Sequence, residues 1–192
     1  LAPEHPFPAA LDDAVEGYRY LLSKGYAPEH ITLCGESAGG GLCYSLCQRI
    51  AGEGLELPAC IIAVSPWVDL TCSGPSYEEN KNVDPSLSRK LLLYYAKGYT
   101  DDPSDRMASP LFSDLTGMPP SLIYVGGDEI MRSDAQSLHD KLTAQGCESQ
   151  LVISEDRWHA YLLYGMEEDK ADFERMNRFL NERMCKAKKL RW

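Results

Sequence analysis

Apolar positions along the chain fall into two kinds of run. Leu11, Ala14, Val15, Tyr18, Leu21 and Leu22 recur at helical spacing, with Asp12, Asp13 and Glu16 on the opposite side. That pattern predicts a helix entered at Pro8 and stopped by Lys24-Gly25. Three other runs are apolar almost throughout: 31–34, 60–64 and 121–125. Short continuous runs of this kind predict strands covered on both faces, as in a parallel sheet. Residues 149–154 predict a fourth strand. Helical spacing returns after 42, over 133–145 (Ala135, Leu138, Leu142) and over 165–186 (Phe173, Met176, Phe179, Leu180). Between 66 and 120 there is no strand pattern and one helical stretch, 87–97; an insertion of that length predicts a lid or binding loop. The order is helix, strand, helix, strand, insertion, strand, helix, strand, helix. It predicts a single α/β domain over 1–192, with a mostly parallel sheet and helices on both faces.

In such sheets, sites form at the carboxyl ends of the strands. The first strand runs into Gly35-Glu36-Ser37-Ala38-Gly39, a Gly-x-Ser-x-Gly turn leading into a helix. Alone, this turn could equally bind phosphate or simply pack. Its small neighbours Gly35, Ala38 and Gly39 would tolerate a strained serine, whose hydroxyl then stands at the top of the sheet. The Ala38 amide, at the new helix's N-terminus, would face an oxyanion formed there. A nucleophilic serine needs an imidazole base, and the imidazole needs a carboxylate. Of four histidines, His5 lies in a proline-rich loop, His30 in a turn before the first strand and His139 inside a helix. His159 follows the last strand and is the expected base. Asp128 follows its strand most closely and is preferred as the acid over Glu129, one residue further, and Asp134, in the next helix. The chain order Ser37, Asp128, His159 is that of an α/β-hydrolase.

Composition narrows the partners. A net charge of −10 argues against nucleic acid and anionic membrane surfaces. No apolar run approaches spanning length. Seven cysteines, several inside apolar runs, read as small buried hydrophobes in a reducing compartment, so a cytoplasmic location is expected. Cys43 and Cys47 lack further ligands for zinc, and no metal or organic cofactor is expected.

Several segments together carry a resemblance. They are Leu1-Ala2-Pro3-Glu4-His5-Pro6-Phe7-Pro8-Ala9-Ala10, Gly35-Glu36-Ser37-Ala38-Gly39-Gly40, Ser65-Pro66-Trp67-Val68-Asp69-Leu70-Thr71, Ser109-Pro110-Leu111, Gly127-Asp128 with Arg132-Ser133-Asp134, and Trp158-His159. Over nearly its whole length the chain resembles the α/β-hydrolases of the hormone-sensitive-lipase type, the bacterial family IV carboxylesterases. The resemblance implies Ser37 as nucleophile, Asp128 as acid, His159 as base, and small esters, with short acyl chains favoured, as substrates. Glu36 matches a position where the family usually carries an acidic residue, with a role in orienting the turn; Asp69 matches a structural position. Trp67, Leu87, Leu91, Tyr94 and Tyr95 are candidate pocket walls in the 66–120 lid region. A serine peptidase or amidase on the same scaffold, or a ligand-binding protein that has lost hydrolysis, are the alternatives. The family also carries a His-Gly-Gly-Gly motif ahead of the Leu-Ala-Pro-Glu segment, supplying most of the oxyanion hole, and this sequence does not contain it. The first strand is then expected at a sheet edge, completed by an N-terminal segment of a longer protein or by a second copy of the chain.

Overall fold

The computed structural model describes the backbone of residues 1–189 and the side chains of residues 1–184. Four strands, β1 (Thr32–Glu36), β2 (Cys60–Val64), β3 (Ser121–Gly126) and β4 (Ser149–Ser154), form one sheet in the order β1-β2-β3-β4. Every neighbouring pair is parallel, with Glu36 opposite Val64 and Val64 opposite Tyr124. Parallel strands need crossovers: α2 (Ala38–Gly52) joins β1 to β2, α3 (Ser76–Glu79) and α4 (Arg89–Tyr99) lie between β2 and β3, and α5 (Arg132–Ala144) joins β3 to β4, while α1 (Ala9–Ser23) precedes β1 and α6 (Lys170–Lys189) follows β4.

Alternation along the strands divides the core. Ile61, Ala63, Ile123 and Val125 meet Cys43, Tyr44 and Cys47 of α2 and Ala135, Leu138 and Leu142 of α5. The opposite face, with Cys60, Ile62, Val64, Leu122 and Tyr124, takes Tyr161, Leu162 and Phe179. Leu11, Val15 and Tyr18 of α1 pack with Leu46 and Ile50 of α2. Among the described residues β1 is an edge, and Cys34 on it is exposed. Both expectations, a parallel sheet with helices on two faces and an edge at the first strand, match this architecture.

Boundaries differ from the periodicity at several ends, with α4 shifted two residues and α5 one from the expected spans. Ile31 is buried with α1 and α2, and its carbonyl accepts from the Ala59 N–H (2.8 Å), but the ladder register begins at Thr32, so β1 runs from Thr32 to Glu36. β3 runs one residue beyond Val125, because Gly126 still pairs with Ser154. The last helix begins at Lys170, not 165. Ala160 (φ 56°) and Gly165 (φ 62°) adopt left-handed backbone around a short 3-10 turn, Tyr161–Tyr164, that sinks Tyr161 and Leu162 into the core.

Residues 66–120 contain more structure than expected: α3 and the 3-10 turn Pro110–Phe112 accompany α4. Side-chain hydrogen bonds tie the segment to the β3–α5 region. Asp134 Oδ2 accepts from the backbone N–H groups of Val68 (3.2 Å) and Asp69 (3.0 Å). Asp69 in turn accepts from the Thr71 and Ser73 backbones and hydroxyls, which is the structural role its sequence position implied. Ser76 Oγ donates to the Ile130 carbonyl, and Asn80 Nδ2 donates to those of Gly127 (2.9 Å) and Glu129 (2.8 Å).

Burial, reinforced by the nearby Asp69 carboxylate, pushes the Asp134 carboxyl up to about 8 against the pull of its two backbone donors. The unfolded chain ionises this group near 3.9. Its raised folded value therefore favours the native state fully below about pH 4, and that advantage is lost as pH rises through about 8, at up to ~1.4 kcal/mol per pH unit. Asp134→Asn keeps an acceptor for Val68 and Asp69 but carries no charge. Its melting temperature is expected to match the wild type near pH 4 and to exceed it increasingly toward about pH 8. Parallel melting-versus-pH curves for the two proteins would refute this account.

Candidate active site

The turn after β1 is built by crowding. A Cβ on Gly35 would collide with the Gly39 carbonyl, and one on Gly41 with the Trp67 carbonyl, so both must be glycine for α2 to start this close to β1 and β2. Gly39, expected to be small for the same reason, faces open space instead. Ser37 sits at φ 54°, ψ −121°, a conformation that costs a non-glycine residue on the order of 1–3 kcal/mol. The surroundings fix it: Ser37 N–H donates to the Val64 carbonyl (2.9 Å), and its own carbonyl accepts from Trp67 (2.9 Å) and Gly41 (3.2 Å). Ala38 begins α2, so its amide belongs to the helix N-terminus.

His159 follows β4, and its side chain is only 12% exposed. Its Nδ1 lies 2.9 Å from Glu129 Oε2. The partner of His159 is therefore Glu129, not Asp128. Glu129 is completely buried, and its other oxygen, Oε1, accepts from the Ser65 hydroxyl (2.6 Å) and the Gly126 N–H (2.5 Å). Because β3 continues through Gly126, the turn begins one residue later than the apolar run suggested. Asp128 falls on the half-exposed side of that turn, where its N–H donates to the Arg157 carbonyl (3.0 Å). Asp134 is engaged with Val68 and Asp69 in a different cluster.

Ser65 is the residue that sequence reasoning missed. It caps β2 at φ 48°, is fully buried, and bridges Glu129 to the Ala160 N–H (3.0 Å) on the residue after His159. Its signal was positional, a serine at the carboxyl end of the strand between those bearing Ser37 and Glu129.

The ring's second nitrogen is also occupied. His159 Nε2 lies 3.3 Å from Glu36 Oε1, which brings the imidazole within one residue of Ser37. Burial lowers the basicity of His159, but the Glu129 hydrogen bond and charge, then Glu36 and Asp84, outweigh it and hold the ring above its ordinary value. Trp158, the residue before this histidine, packs edge-on against Tyr164, at 5.7 Å between ring centroids.

A cavity of about 240 Å³ opens beside Ala38. Of the expected walls it is lined by Trp67 and Tyr95, joined by Leu42, Ser45, Leu70 and Tyr99. Leu87, Leu91 and Tyr94 do not line it. Leu87 packs with Leu92 and Ala96 on the inner side of α4, and Tyr94 is 73% exposed. No group of three or more His, Cys, Asp or Glu side chains with metal-binding geometry occurs among the described residues, and no described helix is long and apolar enough to cross a membrane.

Comparison with known proteins agrees with this architecture. The family profile described as alpha/beta hydrolase fold matches residues 1–163. An acetyl-hydrolase of Streptomyces hygroscopicus is 42% identical over 148 residues, covering 75% of this chain and 49% of the relative. An esterase of Acinetobacter venetianus is 35% identical over 167 residues, covering 85% and 55%. The crystal structure of an esterase from the bacterial hormone-sensitive lipase family superposes with a TM-score of 0.93 at 37% identity, over 96% of this chain and 63% of that one. The chain thus spans about half the length of the curated relatives it matches. With the parallel sheet, the strained serine turn and these similarities in agreement, the chain belongs to the α/β-hydrolase family, in its hormone-sensitive-lipase branch.

Proposed function

We propose that this chain carries the catalytic groups of a serine carboxylesterase acting on small esters with short acyl chains. One observation carries the reading: His159 is held by the buried, doubly supported Glu129 at the same end of the sheet as the strained Ser37. In this mechanism His159 Nε2 takes the proton of the Ser37 hydroxyl as Oγ attacks the ester carbonyl carbon. Glu129 keeps the proton on Nδ1 and stabilises the imidazolium. The Ala38 N–H donates to the oxyanion. The imidazolium then protonates the departing alcohol, and water, deprotonated by the same ring, releases the acid from Ser37. The cavity beside Ala38 suits an apolar acyl or alcohol group, with residues 66–120 supplying Trp67, Leu70, Tyr95 and Tyr99. The hydrogen bonds anchoring that segment support a fixed wall rather than a swinging lid.

Losing one oxyanion donor typically costs on the order of 10²–10³ in rate, so this reading calls for donors in addition to the Ala38 N–H. The free edge of β1 is where a segment bringing them, or a second copy of the chain, would pair. The described cysteines are all unpaired, in keeping with a reducing, cytoplasmic setting.

A fluorophosphonate probe tests the reading. Peptide mass spectrometry is expected to find the adduct on Ser37, with p-nitrophenyl butyrate hydrolysed and peptide anilides left intact. No adduct would sink the enzyme reading, and cleavage of the anilides would turn it toward an amidase.

A further inference from the structure

The orienting role expected for Glu36 leaves its position against His159 unexplained. Glu36 ends β1, opposite Val64, and its carboxylate is 37% exposed. Its Oε1 lies 3.3 Å from Nε2, while Glu129 Oε2 lies 2.9 Å from Nδ1. The imidazole therefore stands between two carboxylates, one sealed from solvent and one reaching it. The charged groups acting on the ring come from three elements: Glu36 from β1, Glu129 from the β3–α5 turn and Asp84 from residues 66–120. Asp84 is itself committed to the Ile130 N–H, at 2.9 Å. All three are acidic.

We infer that Glu36 is a positioning residue for proton transfer: its carboxylate stabilises the protonated edge of His159 at the nitrogen that exchanges a proton with Ser37. The inference rests on the proposed roles of Ser37 and His159. When Nε2 gains the serine proton, the new positive charge forms beside Glu36, so the imidazolium is favoured in both acylation and deacylation. In the resting protein the same charge holds a proton on the ring at low pH, and a protonated ring cannot act as the base. One residue thus has two opposed effects. It raises the rate at the pH plateau and moves the acid limb of the pH profile upward, a pairing that a purely structural contribution to the turn would not produce.

Glu36→Gln keeps the shape and removes the charge. An opposite charge within 4–6 Å shifts a titration by about 1–3 units, and the partial exposure of Glu36 puts the expectation at the lower end. NMR titration of the His159 Cε1–H, assigned with His159→Gln, is expected to show a fall of roughly one pH unit in the Glu36→Gln protein. Glu36→Ala, a second variant that removes the carboxylate altogether, is expected to do the same. In the same variants, kcat/KM for p-nitrophenyl butyrate is expected to fall about tenfold at the plateau, with the acid limb displaced downward by about the same one unit. His159 titrating as in the wild type in both variants would overturn the inference, as would a lowered plateau with an unmoved acid limb. The NMR readout needs no turnover. A shifted titration in a protein that hydrolyses nothing would overturn the hydrolase reading and leave the Glu36–His159 coupling standing.

Discussion

Replacing Ser37 with Ala is expected to lower ester hydrolysis by roughly 10⁴–10⁶-fold while leaving the fold intact. The size of the loss follows from what the remaining groups can do. His159 and Glu129 keep their geometry, but without Oγ they can only assist a water molecule, and no acyl-enzyme forms. Stability is expected to change little. Alanine keeps the Cβ, and the backbone at φ 54°, ψ −121° is fixed by hydrogen bonds from Gly41 and Trp67 and to Val64, none of which uses the hydroxyl. Melting curves of the two proteins should therefore nearly superimpose, and fluorophosphonate labelling should disappear. Turnover within tenfold of the wild type would mean that Ser37 is not the nucleophile.

Much of this arrangement is legible from residue order alone, because the apolar runs encode burial on both faces of a parallel sheet. The runs at 60–64 and 149–154 coincide with β2 and β4. The Ser37 turn is equally readable, since glycine is the one residue that fits where Gly35 meets Gly39. The carboxylate partner of His159 was not readable. Its identity depends on whether β3 stops at Val125 or Gly126, and pairing with Ser154 on another strand decides that. It also depends on a socket assembled from Ser65, Gly126 and His159, residues far apart in sequence. Three of the five expected pocket walls, Leu87, Leu91 and Tyr94, were misplaced for a related reason. Helical spacing separates the faces of α4 but does not say what lies across from them. Leu92 and Ala96 turn into the core with Ile130 and Met131, Tyr95 reaches the cavity, and Tyr94 points to solvent.

The choice between the two neighbouring carboxyl groups leads to the other large expected effect. Glu129→Gln is expected to lower kcat by about 10³–10⁴-fold, whereas Asp128→Asn stays within a few-fold of the wild type. In the Glu129→Gln protein the new amide oxygen would take the place of Oε1, because Ser65 and Gly126 both donate there. That leaves the NH₂ group facing His159 Nδ1, where Glu129 now presents an acceptor at 2.9 Å. A donor in that position favours the tautomer with the proton on Nε2, which cannot then receive the serine proton. Removing the buried charge also withdraws the main contributor holding the ring's basicity above its ordinary value. Asp128, half-exposed and joined to the loop before His159 through its backbone N–H, lacks that leverage, and its amide analogue keeps the same N–H bond to Arg157. Steady-state kinetics on the two variants separate the assignments. A collapse in Asp128→Asn with Glu129→Gln nearly unaffected would return the acid's role to Asp128 and strip the Ser65–Glu129–His159 chain of its catalytic meaning.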